Sequence, residues 1–348
     1  MRNSAKVDEI DAKILKKLLK EARTTFTEIA KECKISVGAV RMRYKRLWKE
    51  GIVNGEIMLV NPHSLGYKYI IDVGIVTAID SEKEVMEFLG TRPYIRHIVG
   101  PFGKYNFWTK VALHDVKKLS EILQDIESNP CIKHVDALIW TEAVNVEHTE
   151  NLEIKPYPND NDPNNASECN SSNLLEEAKI DETDRQIAAI LSQNARTPFS
   201  TIAGKLGIST KSVIQRYQRL KGRLLSHATI TVNLNRLGYN AFASMFVKTA
   251  NRSKIPEICA QMLQIPNLIV MIRLLGAYDL YTCTVVADFE ELFRLTEQVR
   301  TMRNIDRTET FLGPIFPSWP LHLFPSLIQT ELMEPKVWGP DFKPAARD

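Results

Sequence analysis

The stretch ARTTFTEIAKECKISVGAVRMRYKRL, residues 22–47, returns as ARTPFSTIAGKLGISTKSVIQRYQRL at residues 195–220. In the first copy Thr24 can cap a short helix carrying Phe26, Ile29 and Ala30 on one face, and in the second Thr197 precedes Pro198 at the favoured first helical position. A second helix starts almost at once. Ser36 and Ser209 read as its N-caps, and Gly207 supplies the left-handed turn residue where the first copy uses Lys34. A helix bearing Ile14, Leu15, Leu18 and Leu19 comes before. Three helices with so short a turn form the pattern of a helix-turn-helix domain.

Val40, Tyr44 and Leu47 recur at i, i+4 and i+7, as do Val213, Tyr217 and Leu220, so each second helix buries that stripe. Its other face carries Gly38, Arg41, Met42 and Lys45 in one copy, and Lys211, Ile214, Gln215 and Gln218 in the other. A helix fits the DNA major groove, where Arg or Lys donates to guanine and Gln pairs with adenine, while phosphates take cations regardless of sequence. The DNA-contacting set expected here is Ser36, Gly38, Arg41, Met42, Arg43, Lys45 and Arg46, with Ser209, Lys211, Gln215, Arg216, Gln218 and Arg219. Charge supports a polyanionic partner. Residues 6–60 hold thirteen Lys or Arg against eight Asp or Glu, and residues 179–234 nine against three, within a 348-residue chain of net charge +3.

Outward from these stretches the two halves align at an offset of 173, pairing Val7 with Ile180, Asp11 with Asp184 and Gly103 with Gly276. Between them, KPYPNDNDPNNASECNSSN (155–173) lacks the apolar area to offset the entropy of ordering and reads as a linker. After about Gly313 a tail rich in proline, with Trp319 and Trp338, has no counterpart in the first half and reads as an extended arm. No run of about 18 uncharged apolar residues and no basic region before an apolar block occurs, which predicts a cytoplasmic chain that does not enter membranes. Five scattered cysteines without a C-x-x-C pair argue against disulfides and zinc; no metal and no cofactor is expected.

Downstream of each helix-turn-helix come an alternating strand, a helix, two strands around a turn, an amphipathic helix and a last strand. The order βαββαβ makes a four-stranded antiparallel sheet with both helices on one face. A second such sheet is the natural cover for the other face, with Ile71, Val73 and Ile75 or Phe242, Met245 and Val247 as the rows expected to meet it. The fold class is α+β: two copies of a winged helix-turn-helix plus a ferredoxin-like βαββαβ domain. The expected division is 6–60, helix-turn-helix; 66–148, βαββαβ; 149–178, linker; 179–234, second helix-turn-helix; 238–312, second βαββαβ; and 313–348, tail.

This arrangement resembles the Lrp/AsnC family of feast-or-famine transcription regulators, duplicated in one chain. The residues that carry it are VDEIDAKILKKLLKEART and IDETDRQIAAILSQNART, the IAKECKIS and IAGKLGIS turns, RYKRL and RYQRL, and the GKYNFW and GAYDLY hairpins. The resemblance implies double-stranded DNA as partner, dimerisation through the sheets, higher homo-oligomers, and an amino acid or similar small effector. It places the effector at Gly103, Tyr105 and Asn106 and at Gly276, Tyr278 and Asp279. The bare reading of these six is a pair of β-hairpin turns. Asn106 replaces the family's acid in the first copy, so the two places are unequal. The segment WKEGIVNGEI also carries Gly51 and Gly55 where KGRLLSHATI has Gly222 and one residue fewer, which predicts heads seated at different angles.

Enzyme chemistry has less support. His97, Tyr105 and Trp108 in RHIVGPFGKYNFW resemble siroheme decarboxylases, which share this fold, but the second half has no matching histidine. There is no H-E-x-x-H spacing, no visible Ser, His and Asp arrangement and no P-loop. No catalytic residue is assigned. A third reading, an amino-acid-binding module without DNA contact, runs against the arginines repeated at 43, 46, 216 and 219.

Overall fold

A computed structural model of the chain describes residues 7–100, 103–145, 151–155, 180–328 and 336–338. The linker reading falls outside them except at 151–155, and so does the tail beyond 328 apart from one short strand.

Each half opens with three helices: α1 (Glu9–Lys20), α2 (Phe26–Cys33) and α3 (Val37–Lys49), then α6 (Glu182–Gln193), α7 (Phe199–Leu206) and α8 (Thr210–Leu220). Their ends follow from local chemistry. Asp8 and Asp181 cap α1 and α6, and the third residue of each helix, Asp11 or Asp184, closes a reciprocal capping box. The cap of α2 is Thr25 and not Thr24, because Glu28 lies three residues beyond Thr25 and completes the same box. Pro198 is the N-cap of α7 instead of its first residue, so that helix begins at Phe199. Ser36 and Ser209 accept from the amides of Ala39 and Ser212, both at 3.1 Å, and Lys34 (φ 54°) and Gly207 (φ 65°) take the left-handed turn position.

The connecting strands β1 (Val53–Val60) and β6 (Leu225–Val232) pair with each other, antiparallel, across the two halves. Helix α1 packs on β6 and α6 on β1, so each head completes its core with a strand of the other half. The residue missing from the second connector is absorbed at the end of the helix: α8 stops at Leu220, two positions before the counterpart of Lys49. The packing of α1 on β6 is thus matched by that of α6 on β1 despite the shorter second connector.

The βαββαβ units are β2 (Tyr69–Thr77), α4 (Glu82–Gly90), β3 (Ile95–Val99), β4 (Phe107–Leu113), α5 (Lys118–Glu127) and β5 (Ile132–Asn145), followed in the second half by β7 (Ala241–Thr249), α9 (Ile255–Met262), β8 (Leu268–Leu275), β9 (Leu280–Val286), α10 (Phe289–Arg300) and β10 (Ile305–Pro314). Their sheets run β5-β2-β4-β3 and β10-β7-β9-β8, joined where β5 pairs with β8, with the tail strand β11 (Lys336–Trp338) parallel to β3 at the far edge.

One face of each sheet carries its own helices. Ile71, Val73 and Ile75 meet Val85, Leu89, Ile122 and Ile126, while Met245 and Val247 meet Ile258, Met262, Leu295 and Val299. The opposite faces turn towards each other and share a core in which Trp108 lies 5.1 Å from Phe246, centroid to centroid. The expected contact rows are therefore corrected. Strand alternation sends Ile71, Val73, Ile75, Met245 and Val247 to the helices, and of the named residues only Phe242 lies in the shared core.

From Gly313 the tail crosses this junction. Trp319 exchanges backbone hydrogen bonds with Val232 of β6 at 2.8 and 3.0 Å, Asn54 donates to the Pro317 carbonyl at 2.6 Å, and Phe324 and Leu327 pack on Ile70 and Ala112.

Candidate nucleic-acid interface

Helices α3 and α8 bury the expected stripes: Val40, Tyr44 and Leu47, and Val213, Tyr217 and Leu220, each less than a tenth exposed. On the far side Ser36, Gly38, Arg41, Met42 and Lys45 are exposed, as are Ser209, Lys211, Gln215 and Gln218. Met42 reaches 69 % exposure, more than a core methionine tolerates. Arg41, Lys45 and Lys211 form no ion pair among the described residues, so their charges face solvent.

The four repeated arginines have protein partners instead. Arg43 donates to Asp8 at 2.6 Å and to Asp11 at 2.9 Å, and Arg46 also reaches Asp11; Arg216 donates to Asp181 at 2.6 Å and Asp184 at 2.8 Å, and Arg219 also reaches Asp184. Asp11 and Asp184 have no exposed side-chain surface. Each carboxylate is thus a buried member of its capping box that also ties the third helix to the first, which explains why both arginines recur. Sequence reasoning missed the two aspartates as their partners, although the pairing of Asp11 with Asp184 was the available signal.

A second pair of arginines binds the heads together. The Arg23 guanidinium donates to the carbonyls of Ala195 and, at 3.3 Å, Thr197, and sits 4.2 Å over the Phe199 ring. In return Arg196 donates to Ala22 and, at 3.2 Å, Thr24, and sits 4.8 Å over Phe26. The exchange is reciprocal, as a two-fold contact between like surfaces requires. Glu56 adds an acceptor, taking the Tyr44 hydroxyl at 2.7 Å. Burial pushes the Tyr44 phenol well above its ordinary range, with the Glu56 charge adding to it.

The hairpin residues lie at the contact between the two sheets. Tyr105 and Tyr278 are 1 % exposed. The Tyr105 hydroxyl donates to Asp136 at 2.7 Å. A Cβ on Gly103 (φ +62°) would collide with the Phe311 ring, and one on Gly276 would come within 2.7 Å of Leu138. Each hairpin therefore presses on the last strand of the other half. Asn106 accepts from the Thr77 amide at 2.9 Å, and Asp279 accepts from the Thr249 amide at the same distance. Burial would raise the Asp279 carboxyl, but the Thr249 amide and hydroxyl and the Lys248 ammonium together hold it below its ordinary range. Val76 occupies the place of Lys248 in the first half, so a neutral Asn106 suits that hairpin.

Comparison with known proteins agrees with this geometry. The model of the winged helix-turn-helix DNA-binding domain matches residues 7–54, and that of the AsnC-type helix-turn-helix domain matches residues 180–221. The HTH-type transcriptional regulator LrpA of Pyrococcus horikoshii is 36 % identical over 119 residues, covering 34 % of this chain and 84 % of that protein. The regulatory protein AsnC of Haemophilus influenzae is 31 % identical over 119 residues, 34 % of this chain and 79 % of its own. Over the whole chain, the crystal structure of the siroheme decarboxylase NirDL superposes with a TM-score of 0.61 at 17 % identity, covering 92 % of this chain and 97 % of that one, which is a likeness of fold.

Proposed function

The chain belongs to the Lrp/AsnC family of helix-turn-helix transcriptional regulators, and from that premise we propose that it is a single-chain pseudo-dimer whose two heads read two unequal half-sites of double-stranded DNA in response to a small effector. The observation that carries this reading is the reciprocal docking of the heads through Arg23 and Arg196 with both reading faces left outward. Joining two heads in one chain replaces a bimolecular association by an intramolecular one. It also lets the heads diverge. Arg41 and Lys45 suit guanine, whereas Gln215 and Gln218 suit adenine.

Fluorescence anisotropy of a labelled duplex titrated at several salt concentrations tests the reading. Affinity should fall with salt, and the K211A variant, whose lysine has no base assigned to it, should flatten that dependence. Absence of duplex binding at low salt would contradict it.

One observation favours a second reading, tetrapyrrole decarboxylation as in NirDL. His97 pairs across the strands with Lys110 on the side where the two sheets meet, in a fold matched over nearly its whole length. Incubation with siroheme followed by an absorbance scan decides it: a stable coloured complex with turnover supports the enzyme, and an unchanged spectrum removes it.

A further inference from the structure

Where the two sheets and the tail converge there is a cleft that neither the heads nor the hairpins use. Leu59, Lys110, Trp140, Ile272, Tyr281 and Trp319 are among the residues around it, and it encloses about 690 Å³ of non-protein space, part of it open to solvent. Its walls are mostly apolar and aromatic. The one ammonium among them belongs to Lys110, whose side chain is only 10 % exposed.

Lys110 is held in place from behind. Its Nζ donates to Asp72 at 2.5 Å and lies 4.7 Å from the Trp140 ring centre, and the Trp140 indole donates to the other Asp72 oxygen at 2.7 Å. Asp72 is fully buried and does not line the cleft, so the cleft meets the cation and not its counter-ion. An ammonium has three donors, of which Asp72 takes one. The corresponding place in the second half is neutral: Ser244 pairs with Cys283 across β7 and β9 as Asp72 pairs with Lys110, and the Ser244 hydroxyl meets that of Tyr281 at 3.2 Å. The charge is thus a feature of one half alone, and a core that needed only to pack would have no use for it.

We propose that this cleft binds a small carboxylate with a flat apolar body, its carboxylate on Lys110 and its body between Trp140, Ile272 and Trp319. The proposal deepens the effector part of the reading above and rests on it. Trp319 gives the site a route to the heads, because the residue that roofs the cleft is also bonded through its backbone to β6, the strand on which α1 packs. A ligand that moves the Trp319 ring therefore acts on a strand shared with the first head.

Calorimetry of the full chain with sodium phenylacetate and sodium indole-3-acetate, against phenylacetamide as the uncharged control, tests the proposal without DNA. The two acids should bind saturably at one site per chain and the amide at least tenfold more weakly. The D72N/K110M double variant, which removes both charges together, should lose the preference for acid over amide. Leu321 of the tail also lines the cleft, and L321W, which crowds it there, should weaken the acids at least tenfold and serves should the double variant fail to fold. No saturable binding of either acid, equal binding of acid and amide, or acid binding unchanged in L321W would overturn the site. Because duplex binding is measured separately, loss of DNA affinity with intact acid binding would count against the DNA reading and leave this site standing.

Discussion

Helices α3 and α8 can be compared position by position at the offset of 173. Facing the protein they agree: Val40 and Val213, Arg43 and Arg216, Tyr44 and Tyr217, Arg46 and Arg219, Leu47 and Leu220. Facing away they differ: Gly38 against Lys211, Arg41 against Ile214, Met42 against Gln215, Lys45 against Gln218. The agreement has a packing cause, since the stripe is buried and the arginines close on Asp11 and Asp184. No fold requirement acts on the outward positions. The repeated unit therefore agrees where its own core demands it and differs on the outward face.

The largest expected effect attacks the shared part. Asp11→Ala and Asp184→Ala each remove a buried acceptor from two arginines and a capping partner from a helix. Each should cost about 3 kcal/mol, the lower end for breaking a buried pair because the arginines are partly solvated. Thermal or urea unfolding measures it. Equal losses in the two heads sharpen the comparison; a loss in one alone would break it.

The next effect concerns the hairpins. Gly103→Ala puts a methyl group into the Phe311 ring at a positive φ and should destabilise by roughly 1–3 kcal/mol, from backbone strain and overpacking together. Gly276→Ala meets Leu138 in the same way and should behave alike in unfolding experiments.

Smaller and more selective effects belong to the reading faces. Arg41→Ala should relax base preference in one half-site only, and Gln215→Ala in the other, each by about 1–3 kcal/mol if the contact is bidentate. Competition binding with single-base variants of the duplex reads this. Arg46→Ala and Arg219→Ala should lower the melting temperature as well as DNA affinity, because both touch a buried aspartate. A pure phosphate contact would leave the melting temperature unchanged.

The smallest effect is one of pH. The Arg216 guanidinium holds the Asp181 carboxyl below its ordinary range. As pH falls, the unfolded chain takes up that proton first, so the contribution is intact at neutral pH and lost progressively below about pH 4. The difference in melting temperature between wild type and Asp181→Asn should therefore shrink from pH 7 to pH 3.

Much of this was legible from the sequence because it is local. The caps at Ser36 and Ser209, the left-handed Lys34 and Gly207, and the buried stripes follow from spacing alone. What was not legible depends on residues distant in the chain. The arginines repeated at 43, 46, 216 and 219 look like phosphate contacts until Asp11 and Asp184 are seen beneath them. Which row of a strand meets its helices is fixed by the fold when both faces are buried, as on β2 and β7. The Lys110 cleft needed three separated segments, the two sheets and the tail, to be brought together.

The central claim, two joined heads of unlike specificity, is tested most directly by in vitro selection of the full chain from a random duplex library. The account predicts an asymmetric site whose halves, one guanine-bearing and one adenine-bearing, lie about one helical turn or a multiple apart, roughly 34 Å per turn. A perfect palindrome, or no enrichment at all, would contradict it.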